Sequence, residues 1–319
     1  MTNAGDRPSG LEQLLAQMNR ELKFKEGDDQ VATLWHYTDS AGLCGLLLNR
    51  EIWATHNAFL NDRNELIHGE ALVHETVKAL AAELGGDIGH ILTDFLKGWD
   101  NLRLSAHTPI YVASFCSDGG DRLSQWRGYG GRGAGYAAGF KSIPMLKAVT
   151  PGPNPNSDGS AMLVKIIYSE DDFRNLVRSE LEFRARGVRT YCRTHHEFAE
   201  ELFLEGMKLM HIRAATLALR CKHPKFTEED EWRLVVTTSR RLDKDGNQVV
   251  RHRSSRSGVL VPYVPVLLTP DPHLDLEGVR VGPAHEGTTG LGGLRSLLTS
   301  LGYENADALA VKSEIPFRE

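Results

Sequence analysis

The stretch Phe226-Thr-Glu-Glu-Asp-Glu-Trp-Arg-Leu-Val-Val236 constrains the fold more than any other part of the chain. Read as a β-strand, it sends alternate side chains to opposite faces. Asp230, Trp232, Leu234 and Val236 form one row, and the Trp, Leu and Val of that row face a core. Glu229, Glu231 and Arg233 form the other, two carboxylates beside a guanidinium. Such a group stabilises or generates charge in a cleft. A solvated strand face with a local ion pair has the same pattern and contributes little.

The 319 residues suffice for one large α/β domain or two modest ones. A net charge of −5 gives the whole molecule no field that would draw in nucleic acid. Cys44, Cys116, Cys192 and Cys221 are scattered and form no Cys-x-x-Cys pair. That argues against a zinc site or a disulfide framework and fits a reducing cytoplasm. The N-terminus lacks the basic-then-apolar pattern of a signal peptide, and no apolar run approaches membrane-spanning length. A cytoplasmic protein with no metal is expected.

Leu11, Leu14, Leu15, Met18 and Leu22 recur at helical spacing, so residues 1–30 read as an N-terminal helical extension. Residues 31–319 read as a single domain of strands and irregularly placed helices, α+β in class. Strands are expected at Val31–Thr38, Ile52–Thr55, Ile110–Cys116, Ala134–Phe140, Ala161–Tyr168, near 231–239 and 247–253, at Gly258–Leu268, at Val279–Val281 and near Ala308–Val311. Asp245-Gly246 signals a hairpin between the strands near 231–239 and 247–253. Pro262 and Pro265 mark Gly258–Leu268 as an edge or bent strand. Helices are expected from the Asp39 or Ser40 cap through Leu47, from about Asp62 to Leu84 with a stop at Gly85-Gly86, around Ile88–Leu96, and at Leu123–Arg127. Others follow at 170–187, 194–219 and Thr288–Leu301.

Several residues have the chemistry for a site. His36 and Thr38 share a strand face and can hydrogen-bond a sugar or polar ring; a satisfied core histidine fits the same spacing. Asn57, Asn61, Asp62 and Glu65 gather at a strand-to-helix turn, where helix capping accounts for them and a phosphate or ribose contact is the alternative. Ser114 and Ser117 end a strand and suit hydrogen bonding in a pocket. Trp126, Arg127 and Tyr129 adjoin a glycine-rich interval, either to stack on a flat ring or to anchor a loop. Arg240, Arg241, Lys244, Arg251, His252, Arg253 and Arg256 concentrate positive charge, which suits a nucleic-acid or phosphate-bearing partner or a plain solvated hairpin. His195, His196 and His223 have no metal-ligand pattern.

His36-Tyr-Thr, Phe59-Leu-Asn-Asp-x-x-Glu65, Ser114-Phe-Cys-Ser, Gln125-Trp-Arg-x-Tyr129, Gly135-Tyr-x-x-Gly-Phe140, Phe226-x-x-Glu-x-Glu-x-Arg233 and Ser313-x-Ile-Pro-Phe-Arg318 occur in that order. Together they resemble the bacterial domain-of-unknown-function family numbered 2971, from about residue 34 to the C-terminus. Arg63, Arg127 and the extra glycines after Trp126 depart from the family pattern.

That pattern is similar to the ADP-ribosyltransferase superfamily, which implies split mixed or antiparallel sheets around a cleft with flanking helices. By this resemblance NAD is the substrate, and no metal is needed. His36 would bind a ribose with Thr38 beside it, and Tyr129 would stack on nicotinamide with Trp126 and Tyr136 behind it. Ser114 would support the glutamate. Glu231 would take the glutamate role, Glu229 the acceptor-activating position, and Arg233 would hold a phosphate or keep Glu231 ionised. A carboxylate beside a developing oxocarbenium ion is stronger in the transition state than in the ground state. The resemblance therefore implies cleavage of the nicotinamide–ribose bond and transfer of ADP-ribose to a protein, nucleic acid or small molecule, as in a toxin or phage-defence effector. Transfer to water would make an NAD glycohydrolase. A nucleotide- or nucleic-acid-binding sensor with a degenerate site is the rival, using Arg240, Arg241, Arg251, Arg253 and Arg256. A hydrolase using Glu229 and Glu231 as acid and base is a third, although carboxylates two residues apart crowd an attacking water.

Overall fold

The computed structural model describes residues 9–22, 33–60, 63–102, 110–117, 119–129, 133–141, 160–238, 249–255, 258–269, 271–285 and 288–316. Where the sequence suggested one domain over 31–319, the chain arranges as two compact units. One comprises Met1–Gly27, Asn61–Thr108 and Ile167–Pro224, and the other Asp28–Leu60, Pro109–Ile166 and Lys225–Glu319.

The first unit is helical: α1 (Ser9–Glu21), α3 (Arg63–Leu84), α4 (Gly86–Leu102), α6 (Glu170–Thr194) and α7 (Ala199–Ala218). Asp171 and Asp172 complement the positive end of α6, and the Ser169 hydroxyl accepts from the Asp172 amide at 3.2 Å. With that start and one apolar stripe from Phe173 to Tyr191, α6 runs 25 residues, past the 187 expected. The N-terminal helix belongs to this unit. Met18 is fully buried beneath Gly206 of α7, where a Cβ would lie 2.5 Å from Val188 Cγ2 and 2.9 Å from the Met18 terminal methyl.

Surface ion pairs tie α6 to α3 and α4, through Arg174 with Glu75 at 2.9 Å, Arg178 with Glu83, and Arg193 with Asp87. Exposed pairs of this kind contribute about 0–1 kcal/mol each. A different pair lies inside: the Glu180 carboxylate is shared by buried Arg184 and by Arg213, whose Nε donates at 3.2 Å. Burial pushes the Arg213 guanidinium down to about 10, the neighbouring Arg184 and Arg220 charges act the same way, and Glu180 opposes them.

His211 joins α7 to α4. Its ring stacks 4.7 Å from Phe95, and Nε2 lies 3.0 Å from the Phe95 carbonyl. A carbonyl only accepts, so Nε2 carries the proton. Burial holds the His211 pKa below 6.5, against the pull of backbone carbonyls. The folded form therefore favours neutral imidazole, and its stabilisation is complete above the unfolded pKa and lost as pH falls below about 6.5 through the depressed folded value. Thermal unfolding between about pH 7 and pH 5 should show a falling midpoint, and His211→Phe, which keeps a ring and cannot titrate, should flatten that slope. An equal slope in both proteins would place the acid lability elsewhere.

The second unit is built on a sheet of ten strands among the described residues. They are β1 (Thr33–Thr38), β2 (Glu51–His56), β3 (Ile110–Cys116), β4 (Tyr136–Lys141), β5 (Ser160–Lys165), β6 (Glu231–Thr237), β7 (Arg251–Ser254), β8 (Leu260–Leu267), β9 (Leu276–Val281) and β10 (Ala310–Lys312). The main path runs β10-β9-β4-β1-β3-β2-β8-β7, and β6 branches from β3 with β5 beyond it. All pairings are antiparallel except β9 with β10, so the class is mixed α+β. Leu34, Phe115, Phe140, Leu163, Trp232, Leu234 and Val266 form the main core. It also takes in Leu43, Leu46 and Leu47 of α2 (Ser40–Asn49) and Leu294 and Leu298 of α8 (Thr289–Ser300).

Two strand expectations need correction. β7 pairs with β8 and not with β6, so strands 231–237 and 251–254 are not a hairpin. Asp245-Gly246 lies outside the described residues. A turn dipeptide reports local geometry only, and β6 already has β3 and β5 on its two edges. Nor is β8 an edge strand, since it lies between β2 and β7. Its prolines are accommodated because the two ladders overlap only at Tyr263. Pro262 faces β7 alone and Pro265 faces β2 alone, so each has an unladdered side for its missing N–H.

Candidate functional site

The second unit turns on β3. β6 pairs with all seven of its residues along one edge. The opposite edge is divided: β1 meets it at Cys116, and β2 meets it at Val112 and Tyr111. Ser114 lies at the fork, and its carbonyl takes His36 Nδ1 at 2.9 Å instead of a strand partner. Nδ1 must therefore be the protonated nitrogen, leaving Nε2 as acceptor. Burial lowers the His36 pKa most, the Ser114 carbonyl raises it, and the Arg253 charge lowers it again. The residue is half-buried as a whole, but its ring is enclosed enough for desolvation to dominate.

Residues directly opposite in an antiparallel ladder share a face. Trp35, Cys116 and Glu231 are opposite one another in turn, as are Ser114, Arg233 and Val164. These side chains occupy one face. His36 lies opposite Ala138 and Thr38 opposite Tyr136, on the face that carries Leu34, Phe115 and Trp232 into the main core. The His36 ring sits 5.6 Å from Phe115, and Tyr136 packs against the same core. The structure thus brings Ser114, Glu231 and Arg233 together and sends His36, Thr38 and Tyr136 to the other side of the sheet.

Glu231 opens β6, where it is 4% exposed. Arg233, two residues on and 6% exposed, grips it with both arms of its fork: Nε to Oε1 at 2.7 Å and Nη2 to Oε2 at 3.1 Å. This bidentate, charge-assisted pair is the strong form of the interaction.

Glu229 does not join it. The strand begins at Glu231, while Glu229 ends a 3-10 turn over Pro224–Glu229. Asp230 between them has φ +40, which breaks the two-residue alternation on which the Glu-x-Glu face depended. The alternation holds from Glu231 onward, with Trp232, Leu234 and Val236 in the core.

The aromatic candidates also separate. Trp126, on α5 (Leu123–Gly128), is fully buried and meets Tyr37 edge-on at 4.8 Å. It anchors α5 and offers no ring face to a ligand. Tyr129, which closes that helix, is 41% exposed. The Tyr136 ring is 5.4 Å from His285, and burial followed by the Cys44 thiol raises its pKa. Gly139 in the Gly-Tyr-x-x-Gly-Phe motif lies opposite Trp35, where a Cβ would come within 2.8 Å of the indole.

Asp121 was not singled out by the sequence. Its carboxylate accepts from Trp126 Nε1 at 2.9 Å, from the Ser313 hydroxyl and from the Glu314 amide at 2.8 Å. It thereby joins the Gln125-Trp and Ser313-x-Ile-Pro motifs, and Ile315 packs on the Trp126 cluster. An aspartate two residues before a short helix reads only as a cap, so nothing local marks it. Asp121→Ala should cost about 2–4 kcal/mol in urea unfolding, because the buried indole N–H loses its acceptor, with Asp121→Asn costing less. A change within about 0.5 kcal/mol would deny this hub its role.

Of the basic cluster, Arg251, His252 and Arg253 are exposed on β7. Arg251 lies 3.7 Å from Glu51, and Arg253 donates to Thr55 at 3.1 Å. Arg240, Arg241, Lys244 and Arg256 lie outside the described residues, as do Asn61 and Asp62. Among the described residues no group of His, Cys, Asp and Glu could hold a metal ion, and no helix is long and apolar enough to cross a membrane.

Residues 125–234 match the family described as Protein of unknown function (DUF2971). The matched segment runs from α5 to the middle of β6 and contains Trp126, Tyr129, Tyr136, Glu229, Glu231 and Arg233. His36, Thr38 and Ser114 precede it. No curated protein and no solved structure matches the chain.

Proposed function

We propose that the second unit is an ADP-ribosyltransferase-like enzyme that cleaves the nicotinamide–ribose bond of NAD and passes ADP-ribose to an acceptor, in the manner of a toxin or phage-defence effector. The observation that carries this reading is the placement of Glu231. It is a buried carboxylate held by Arg233, and Ser114 lies opposite Arg233 on the adjoining strand. The strands bearing His36, Ser114 and Glu231 are neighbours in the order β1-β3-β6.

In this reading the C1′–nitrogen bond breaks with its electron pair leaving on nicotinamide. The acceptor's nucleophile forms the new bond to C1′ and releases its proton to solvent. Glu231 accepts from the ribose hydroxyls and stabilises the cationic sugar, and Arg233 fixes its oxygens. Ser114 supports that pair. His36 acts from the opposite face, through the Ser114 carbonyl, and Tyr129 supplies the stacking ring. Glu229, off the strand, is left as a handle on the acceptor, with water as the acceptor in an NAD glycohydrolase.

The exposed Arg251-His252-Arg253 strand favours a second reading, a nucleotide- or nucleic-acid-binding sensor. Incubating the protein with NAD and following nicotinamide release decides between them. Turnover supports the transferase or glycohydrolase reading, and binding without turnover supports the sensor.

A further inference from the structure

We propose that Asp230 is the positioning residue of Glu231, fixing where its carboxylate points; this rests on the reading of Glu231 given above. Asp230 and Arg50 are the two non-glycine residues with positive φ among those described, and Arg50 only closes α2. A left-handed residue with a side chain is strained, and aspartate bears the strain better than most because it bonds locally. Strain of this kind persists where the surroundings over-determine it.

Here they do. The Ser117 hydroxyl donates to the Asp230 carboxylate, and the Ser117 amide donates to the Asp230 carbonyl at 3.2 Å. The Asp230 amide donates to the Thr227 carbonyl at 3.3 Å, closing the turn before the strand. On the other side the Ile166 amide donates to the Glu231 carbonyl at 3.0 Å. Lys165 Nζ stands 3.5 Å from the Asp230 carboxylate and 5.9 Å from the centre of the Trp232 ring. That ion pair is exposed and screened, so the Ser117 contacts do most of the holding. Ser117, one residue past β3, and Lys165 and Ile166, at and just past the end of β5, therefore grip the 230–231 junction from both flanks. The positive φ ends the turn in one step and lets the next residue enter the ladder opposite Cys116. Without it, Glu231 would not start the strand on the Ser114 face. The Glu-x-Glu-x-Arg pattern leaves this position open, so the motif hides it.

The test compares Asp230→Ala with Asp230→Asn. Alanine has no acceptor for Ser117 and resists the left-handed region, whereas asparagine keeps both properties. With NAD as probe, Asp230→Ala should lower kcat about tenfold or more while KM moves less than about twofold, and Asp230→Asn should restore kcat to within about threefold. A second readout is independent of turnover. In ¹³C-glutamate-labelled protein, the side-chain carboxylate resonance of Glu231, assigned by its loss in Glu231→Gln, should shift in Asp230→Ala and return in Asp230→Asn. A merely structural role would lower the melting temperature of Asp230→Ala and leave both readouts unchanged. An unmoved Glu231 resonance in Asp230→Ala overturns the proposal, whether or not NAD is consumed. Normal turnover by Glu231→Gln would instead overturn the reading of Glu231 and leave the resonance test of Asp230 standing.

Discussion

Glu231→Gln is expected to reduce nicotinamide release from NAD by roughly 10²- to 10³-fold, the loss typical of removing one preorganised charge-stabilising group. The amide keeps the size and one acceptor of the carboxylate and loses its charge, which is the property the cationic sugar requires. A second consequence must be separated from the first. Glu231 and Arg233 are both nearly inaccessible, and removing one partner of a buried pair costs about 3–5 kcal/mol because the other charge is stranded. Lost activity in the single variant could thus reflect lost fold. The double variant Glu231→Gln/Arg233→Met removes the stranded guanidinium and replaces it with an apolar chain of similar length, so much of the stability should return. Nicotinamide release should stay absent in that refolded protein. Wild-type turnover by either variant, at equal folded concentration, would show that Glu231 has no part in the chemistry.

Much of this site was legible one strand at a time and not across strands. Alternation along 231–236 separated Trp232, Leu234 and Val236 from Glu231 and Arg233, because a strand's period depends on local geometry alone. The same rule failed two residues earlier, where a side-chain bond from Ser117, 113 positions away, holds Asp230 in a conformation that no neighbouring residue announces. His36 and Glu231 were grouped by order along the chain, which carries no information about faces. The ladder pairing of β1 with β3, Trp35 opposite Cys116, sets the parity that puts them on opposite sides. Trp126 shows the same limit. Beside glycines it reads equally as a stacking ring or an anchor, and Asp121, Tyr37 and Ile315 decide for the anchor. Residue patterning yielded only an α+β mixture, because the branching at β3 rests on pairings between strands distant in sequence that no local pattern reports.

A stability loss of the same size should arise in the helical unit, at a residue with no part in the proposed chemistry. Glu180→Gln is expected to cost about 3–5 kcal/mol, because Arg184 and Arg213 share that carboxylate and are only 3% and 4% exposed. The depressed pKa of Arg213 shows that burial works against its charge and that Glu180 opposes the effect. Without the anion, two guanidinium groups, with Arg220 adding a like charge, must be held at low dielectric. Glu182, two residues away on the same helix, is the matched control. It pairs with Arg186 at 2.7 Å where the arginine is half exposed, so Glu182→Gln should cost less than about 1 kcal/mol. Urea unfolding of both variants followed by helical circular dichroism measures the difference directly. If the two cost the same, the Glu180 carboxylate is not what holds Arg184 and Arg213 inside. If only Glu180→Gln is severe, burial and not pairing geometry sets the cost, since both glutamates pair with an arginine four residues further along the same helix.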